Sequence, residues 1–347
     1  MAILARNVPL PVFLCVEEGA ARRLSALLHE NNLHFHRHLV VTGAPPVNAI
    51  AGRVAERLSG PHETVTVTAS TAEEAECIKR AVERFGADVI IGVGGGTVLD
   101  TAKFAASEKG VPFISVPTAV SNDGIASPVS VIRINGAARS LNTHMPAAVV
   151  ADLAIIRQSP PATIRAGVGD LASNLSACAD WRLAYKKDKE PLDEFTETIS
   201  RNAAVRIIEA ESPGLTDPAF LRTLIEGLIM SGIAMGIHGS SRPSSGAEHM
   251  ISHAIDHLFK QGSRHGEQAG LATLFTLCLH KISVVPLRRL FAALSMPQVP
   301  ADIALTKKEF LAAVRTAPTM RPGRYSILNQ SRKAQIEAAY ALAYEQD

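Results

Sequence analysis

Five of the chain's twelve histidines fall from His238 to His265, four of them in SSRPSSGAEHMISHAIDH (240–257) and the RHGEQAG that follows (264–270). Imidazole is the commonest protein metal ligand and carries protons near neutral pH, so this density points to a metal or to proton transfer. His249, His253 and His257 are four apart and share one face of a helix. A catalytic divalent metal needs about three protein ligands and an open position, and histidine with carboxylate suits zinc, iron or nickel better than calcium or magnesium. His249, His265 and one acid from elsewhere satisfy this. A rival pairing uses His249 and His253, at i and i+4, as the two histidines of H-E-x-x-H do, although the order here is E-H-x-x-x-H. The acid on offer is Asp170 in RAGVGDLASNLSACADWRLA (165–184), read as standing at the start of an apolar helix with Asn174 one turn on. Its ordinary alternative is a carboxylate interacting with the helix dipole.

A second concentration of chemistry lies earlier. IGVGGGTVLDTAK (91–103) sets Gly94, Gly95 and Gly96 between an apolar strand and a helix that starts near Thr97. Such a turn lets backbone N–H groups and a helix N-terminus cradle a pyrophosphate. It is neither G-x-G-x-x-G nor a P-loop, and a purely structural tight turn is the competing reading. PTAVSNDGIASP (117–128) follows the next strand. Thr118, Ser121 and Asn122 could bond a ligand's polar edge there, and Asp123 could orient a substrate hydroxyl or move a proton. An Asx-type turn capped by Asp123 is the plain alternative; the position after a strand favours the ligand, because open α/β sheets bind at the carboxyl ends of their strands.

These segments need elements to hold them. With 347 residues the chain suggests two domains. From the start to about Pro160, short β-branched runs (11–16, 39–43, 64–69, 88–96, 112–117) alternate with amphipathic segments, the pattern of a parallel sheet flanked by helices. One such segment opens on Thr71 as N-cap with Glu74 three residues on. VSVIRI (129–134) and AAVVADLAII (147–156) read as a hairpin-like or edge element. After Pro160 and Pro161 the periodicity is helical. The division expected is therefore an α/β domain over 1–159 and an all-α domain over 160–347. Charged residues make up 20 %, with 35 basic against 33 acidic side chains, so nothing calls for nucleic acid or an anionic membrane. The four cysteines are scattered, without C-x-x-C spacing, so neither a disulfide framework nor a cysteine-based zinc site is indicated. No stretch approaches the roughly 20 apolar residues of a membrane span, and the N-terminus lacks a long apolar signal region. A cytoplasmic protein is expected.

Taken in order over nearly the whole chain, GGGTVLDTAK, PTAVSNDGIASP, GVGDLASN, SSRPSSGAEHMISHAID and HGEQAG resemble the sn-glycerol-1-phosphate dehydrogenase family. That family lies within the iron-containing alcohol dehydrogenase and dehydroquinate synthase-like superfamily; SNDGIASP and SRPSSGAEH carry the match to this branch. The resemblance implies a nucleotide-binding α/β domain, a helical domain and a metal between them. It implies Asp170, His249 and His265 as ligands, with zinc the first choice and nickel or iron next, and His253 beside the metal as a proton relay. It places Gly94, Gly95 and Gly96 on the pyrophosphate of NAD or NADP, Asp100 and Lys103 near the cofactor, Thr118 and Ser121 on its nicotinamide half, and Asp123 facing the substrate. Two departures stand out. Arg139-Ser140 replaces a common lysine-serine pair, and VVTGAPP after the second strand offers no acid for a ribose 2′-hydroxyl, which leaves NAD against NADP open. The implied reaction interconverts dihydroxyacetone phosphate and sn-glycerol 1-phosphate, with Ser241 and Arg242 as phosphate donors by position and Asp123 or His253 delivering the proton. A glycerol or other polyol dehydrogenase and a dehydroquinate synthase-like cyclase are the alternatives. The expected partner is a small phosphorylated triose or polyol, and the expected state a homo-oligomer, dimer or higher.

Overall fold

The computed structural model describes residues 8–259 and 262–345, so the first seven residues of the N-terminal stretch read above lie outside it. Two compact units divide the chain, Met1–Pro160 and Pro161–Asp347.

In the N-terminal unit, β1 (Phe13–Glu17), β2 (His38–Thr42), β3 (His62–Thr66), β4 (Val89–Gly94), β5 (Phe113–Pro117) and β8 (Ala148–Asp152) form one sheet in the order β1-β8-β5-β4-β2-β3. Every pairing in it is parallel. The inner strands are buried throughout and read as largely apolar runs, while β3 at the edge alternates exposed and half-buried residues, as its threonines and acid require. Helices α1 (Leu24–Glu30), α2 (Val47–Ala55), α3 (Ala72–Phe85) and α4 (Gly96–Lys109) supply crossovers, and the short α5 (Leu153–Ile156) follows the last strand. Thr71 caps α3 as its sequence suggests, its hydroxyl accepting from the Glu74 amide; Glu74 does not return to Thr71 but accepts from Thr68. One expectation is corrected. The stretch 147–156 is not an edge element: β8 sits between β1 and β5, and its five residues are all buried. The hairpin is made instead by β6 (Val129–Ile134) with β7 (Ala137–Asn142), in a separate antiparallel ribbon that carries Arg139 and Ser140.

The C-terminal unit is helical among its described residues: α6 (Pro161–Lys186), α7 (Glu194–Ile208), α8 (Pro218–His238), α9 (Ala247–Phe259), α10 (His265–Leu279), α11 (Val285–Ala293), α12 (Lys307–Met320) and α13 (Lys333–Tyr344). Helix α8 is long and apolar enough to cross a membrane by length and composition, contrary to the sequence expectation. Of its most apolar window 67 % is buried, and it packs on α6 and α7, so core burial accounts for its apolarity. A second correction concerns Asp170. Helix α6 begins at Pro161, which puts Asp170 in its interior rather than at its N-terminus. The helix-dipole reading of that acid therefore fails.

Helix α10 crosses α6 at very short range. A Cβ on Gly169 would collide with the Gly266 carbonyl, one on Gly266 with the Ala166 carbonyl, and one on Gly270 would lie 2.8 Å from the Gly169 Cα. Only glycines let the two backbones touch in this way. Two of the three contact glycines adjoin a candidate ligand, Gly169 beside Asp170 and Gly266 beside His265.

Candidate functional site

In the N-terminal unit a groove of about 1100 Å³ runs across the carboxyl ends of the strands, lined by Gly19, Val47, Arg53, Arg57, Gly95 and Thr118 among others. This is where open parallel sheets bind ligands. Gly94 closes β4, Gly95 is the N-cap of α4 with no side chain bonded over it, and Gly96 is the first helical residue. The first amides of α4 thus face no competing cap. A Cβ on Gly94 would run into Val98, whereas Gly95 meets nothing closer than the Ala119 Cβ at 3.9 Å. The Thr118 amide donates to the Gly94 carbonyl at 2.9 Å, tying the loop after β5 to the glycine turn, and a Cβ on Gly96 would meet the Ser121 hydroxyl at 3.8 Å.

Asp100 and Lys103 are on α4 but do not line that groove. The Lys103 ammonium, fully buried, donates to the Gly124 and Ser127 carbonyls at 2.8 Å each, and Asp100 lies 3.8 Å from it while accepting from the Val131 amide. Burial pushes the Asp100 carboxyl up to about 6 against the opposing pull of Lys103, and burial also lowers Lys103. Both residues brace the loop that carries Asp123. An Asx-type cap in that loop is made by Asn122, whose side chain accepts from the Gly124 amide. Asp152, at the end of β8, was not foreseen; its carboxylate accepts from the Gly19, Ala21 and Ala154 amides and so fixes the groove's rim.

The histidine stretch resolves within the C-terminal unit. Asp170, His249 and His265 each offer a ligand atom, and the three atoms lie within 4.8 Å of one another. His249 Nε2 is 3.6 Å from Asp170 Oδ1, while its Nδ1 is held by Glu248 at 3.0 Å. Because a carboxylate only accepts, Nδ1 carries a proton toward Glu248, which leaves Nε2, facing Asp170, as the atom a metal ion would take in place of a second proton. The same logic applies to His265 through a longer chain. The Gln268 amide nitrogen donates to Asp256 and Ser263, so its oxygen accepts from Ser252. The Ser252 hydroxyl, having given its proton, accepts from His265 Nδ1 at 2.8 Å. His265 Nε2 is therefore also a lone-pair donor toward the site. Such outer hydrogen bonds are what orient imidazole ligands on a metal.

The electrostatics fit a cation. Burial works to lower the His249 pKa, yet hydrogen bonds and charge from Asp170 and Glu248 outweigh it and carry the group up to about 9. The two carboxylates thus favour positive charge at that imidazole, and a divalent ion in place of the proton meets the same demand. Burial, with the neighbouring His249, brings His265 down to about 4, so it is a neutral ligand. His253 lies one turn beyond His249 on α9, its ring stacked on His265 at 5.3 Å, and burial with the surrounding cationic groups holds it well below its ordinary value. His257 is exposed on the same helix.

Sequence reading missed the residues around the triad. Glu248 and Gln268 stand inside the quoted motifs, each beside or one turn from a ligand, and that spacing was the available signal. Arg321 and Arg324 follow α12, far along the chain. The Arg321 guanidinium donates to the Ser241 hydroxyl at 2.8 Å, and Arg324 to the Ser245 carbonyl at 2.6 Å and to Ser241. Arg242, placed among the phosphate donors from sequence, is 3 % exposed and bonded to Glu190 at 2.6 Å and to the Tyr325 carbonyl.

Comparison with known proteins identifies the family. Residues 15–160 match the family model for iron-containing alcohol dehydrogenase. A glycerol-1-phosphate dehydrogenase (NAD(P)+) of Pyrococcus furiosus is 36 % identical over 302 residues, covering 86 % of this chain and 87 % of its own. That of Thermococcus kodakarensis is 37 % identical over 309 residues, 87 % and 88 % of the two chains. Among solved structures, a probable glycerol dehydrogenase from Sinorhizobium meliloti superposes with a TM-score of 0.79 at 22 % identity over 98 % of this chain and 99 % of its own, a likeness of fold. The chain belongs to the glycerol-1-phosphate dehydrogenase family, within the iron-containing alcohol dehydrogenase superfamily.

Proposed function

We propose that the chain is a metal-dependent NAD(P)H oxidoreductase that interconverts dihydroxyacetone phosphate and sn-glycerol 1-phosphate. The balanced reaction is NAD(P)H, a proton and dihydroxyacetone phosphate giving NAD(P)+ and sn-glycerol 1-phosphate. The convergence of Asp170 with two oriented Nε2 atoms within 4.8 Å carries this reading, together with the family membership. Asp170, His249 and His265 would hold the divalent metal, for which zinc suits the donor set first, and which when bound supplies Lewis-acid polarisation of the substrate carbonyl. Gly95 and the open first turn of α4 would receive the cofactor's pyrophosphate, with Thr118 and Ser121 beside it. Asp100 and Lys103 position that loop from beneath. His253, kept neutral and stacked on a ligand imidazole, and Asp123 are the groups assigned to moving the proton. The groove by α2 supports acceptance of a 2′-phosphate: β2 ends in Thr42 and is followed by Gly43 with no acid, while Arg53 and Arg57 line the wall.

The test is oxidation of NADH and NADPH with dihydroxyacetone phosphate by metal-stripped protein, repeated after adding zinc, nickel or iron. Turnover should appear only with metal, and in reverse sn-glycerol 1-phosphate should be oxidised far faster than glycerol. Undiminished turnover after stripping, or a preference for glycerol, would sink the reading.

A further inference from the structure

A pocket of about 390 Å³ in the C-terminal unit is lined by Trp181, Glu190, His238, Arg242, Arg321 and Arg324, among others. Three guanidinium groups share it with a single carboxylate. That carboxylate is taken: Glu190 binds Arg242 Nε at 2.6 Å and accepts from the Tyr325 amide. Among the described residues neither Arg321 nor Arg324 has an acidic partner within ion-pair distance, and their bonds go to a hydroxyl and to carbonyls of the loop before α9. The Arg242 Nη1 is buried with no partner. Burial, reinforced by Arg321 and Arg242, pushes Arg324 down to about 9, and burial lowers Arg321 also. Two uncompensated positive charges in a half-buried pocket are costly unless an anion joins them.

The pocket adjoins the metal triad. Arg321 terminates α12, which packs on α9, the helix of His249 and His253. Ser241, held by both arginines, belongs to the short loop leading into that helix. Arginine forks match the planar faces of phosphate oxygens and bind them in pairs.

We propose that Arg321 and Arg324, steadied by the Ser241 hydroxyl, are the receptor for the substrate's phosphate group, and that the buried Arg242–Glu190 pair is the strut holding the receptor loops together. The inference rests on the proposed reaction and deepens it: the receptor rejects an unphosphorylated polyol because such a ligand leaves both charges unanswered. It also divides the two residues picked out by position, giving Ser241 a place in the receptor and Arg242 a supporting one.

The experiment has two arms, each on zinc-loaded wild type, Arg321→Met, Arg324→Met and Arg324→Lys, with metal content confirmed. In the first, kcat/KM is measured for dihydroxyacetone phosphate and for dihydroxyacetone. Each methionine variant should lower the preference for the phosphorylated substrate by about 30-fold or more, appearing mainly in KM, and lysine should restore part of it. In the second, inorganic phosphate is titrated calorimetrically, which needs no turnover; wild type should bind it and the methionine variants should bind at least tenfold more weakly. An unchanged preference in a wild type that turns over dihydroxyacetone phosphate overturns the receptor and leaves the reaction standing. If wild type does not turn over that substrate, the reaction fails and the titration alone decides: equal phosphate binding by wild type and variants, or none by either, overturns the receptor.

Discussion

At the end of β4 a side chain added to Gly95 would find nothing nearer than the Ala119 methyl at 3.9 Å, whereas one added to Gly266 would strike the Ala166 carbonyl. Both glycines open a helix or stand one residue inside it, and both adjoin residues assigned to chemistry. Their uses differ. Around Gly95 the missing side chain leaves the first amides of α4 open to a ligand. At Gly169 and Gly266 it lets two helices meet backbone to backbone, so that Asp170 from α6 and His265 from α10 come within reach of one ion. The first region is shaped for what binds, the second for how the protein packs on itself. A glycine motif therefore identifies a close approach without saying whether the approaching body is a ligand or the chain.

That contrast can be broken most forcefully at Gly266→Ala. The obstacle is backbone, which cannot rotate away, so α10 must move off α6. We expect a loss of about 3 kcal/mol or more in urea unfolding, with zinc bound at least tenfold more weakly in competition with a chelator. If the variant unfolds at the wild-type urea concentration and keeps its metal affinity, the packing account of this glycine is wrong.

Gly95→Ala should give the opposite pattern. The added methyl has room, and alanine in place of glycine at an N-cap costs no more than about 1 kcal/mol. Metal content should be unchanged, while KM for NADPH should rise several-fold because the methyl occupies the space over the open amides. An unaltered KM would show that the turn is only a turn.

Where the sequence was legible follows the same division. The five strands read ahead of Thr118, the glycine turn and the α9 stripe are local patterns, and each overlaps the element found there. The ligand set was chosen by resemblance rather than by spacing, since Asp170 and His249 are brought together by a helix crossing that no local pattern encodes. Read from sequence, Asp170 stands at the start of its helix, whereas α6 begins at Pro161 and runs on through Gly167 and Gly169, the latter forming the contact with α10. For β8, the apolar run AVVA was the mark of an interior parallel strand, but it was grouped with VSVIRI as a hairpin-like or edge element. Arg321 and Arg324 come from a loop with no periodicity, and only folding brings them to Ser241.

The smallest effect tests the acids that the two regions use. In the C-terminal unit Glu248 and Asp170 act on an imidazole beside them; in the N-terminal unit Asp100 acts on a loop through the Val131 amide and Lys103. Asp100 has a carboxyl raised by burial to about 6, above the 3.8 of an unburied aspartate. Between those values the folded chain holds a proton that the unfolded chain has released, so the stabilisation tied to this group is complete below 3.8 and is lost as pH rises through about 6. Asp100→Asn keeps an acceptor for the Val131 amide and removes the titration. On lowering pH from 7 to 4, wild type should gain urea resistance relative to the variant, with most of the change between about pH 6 and 4. A difference that stays flat across that range would mean Asp100 remains ionised in the fold, with Lys103 compensating its burial in full.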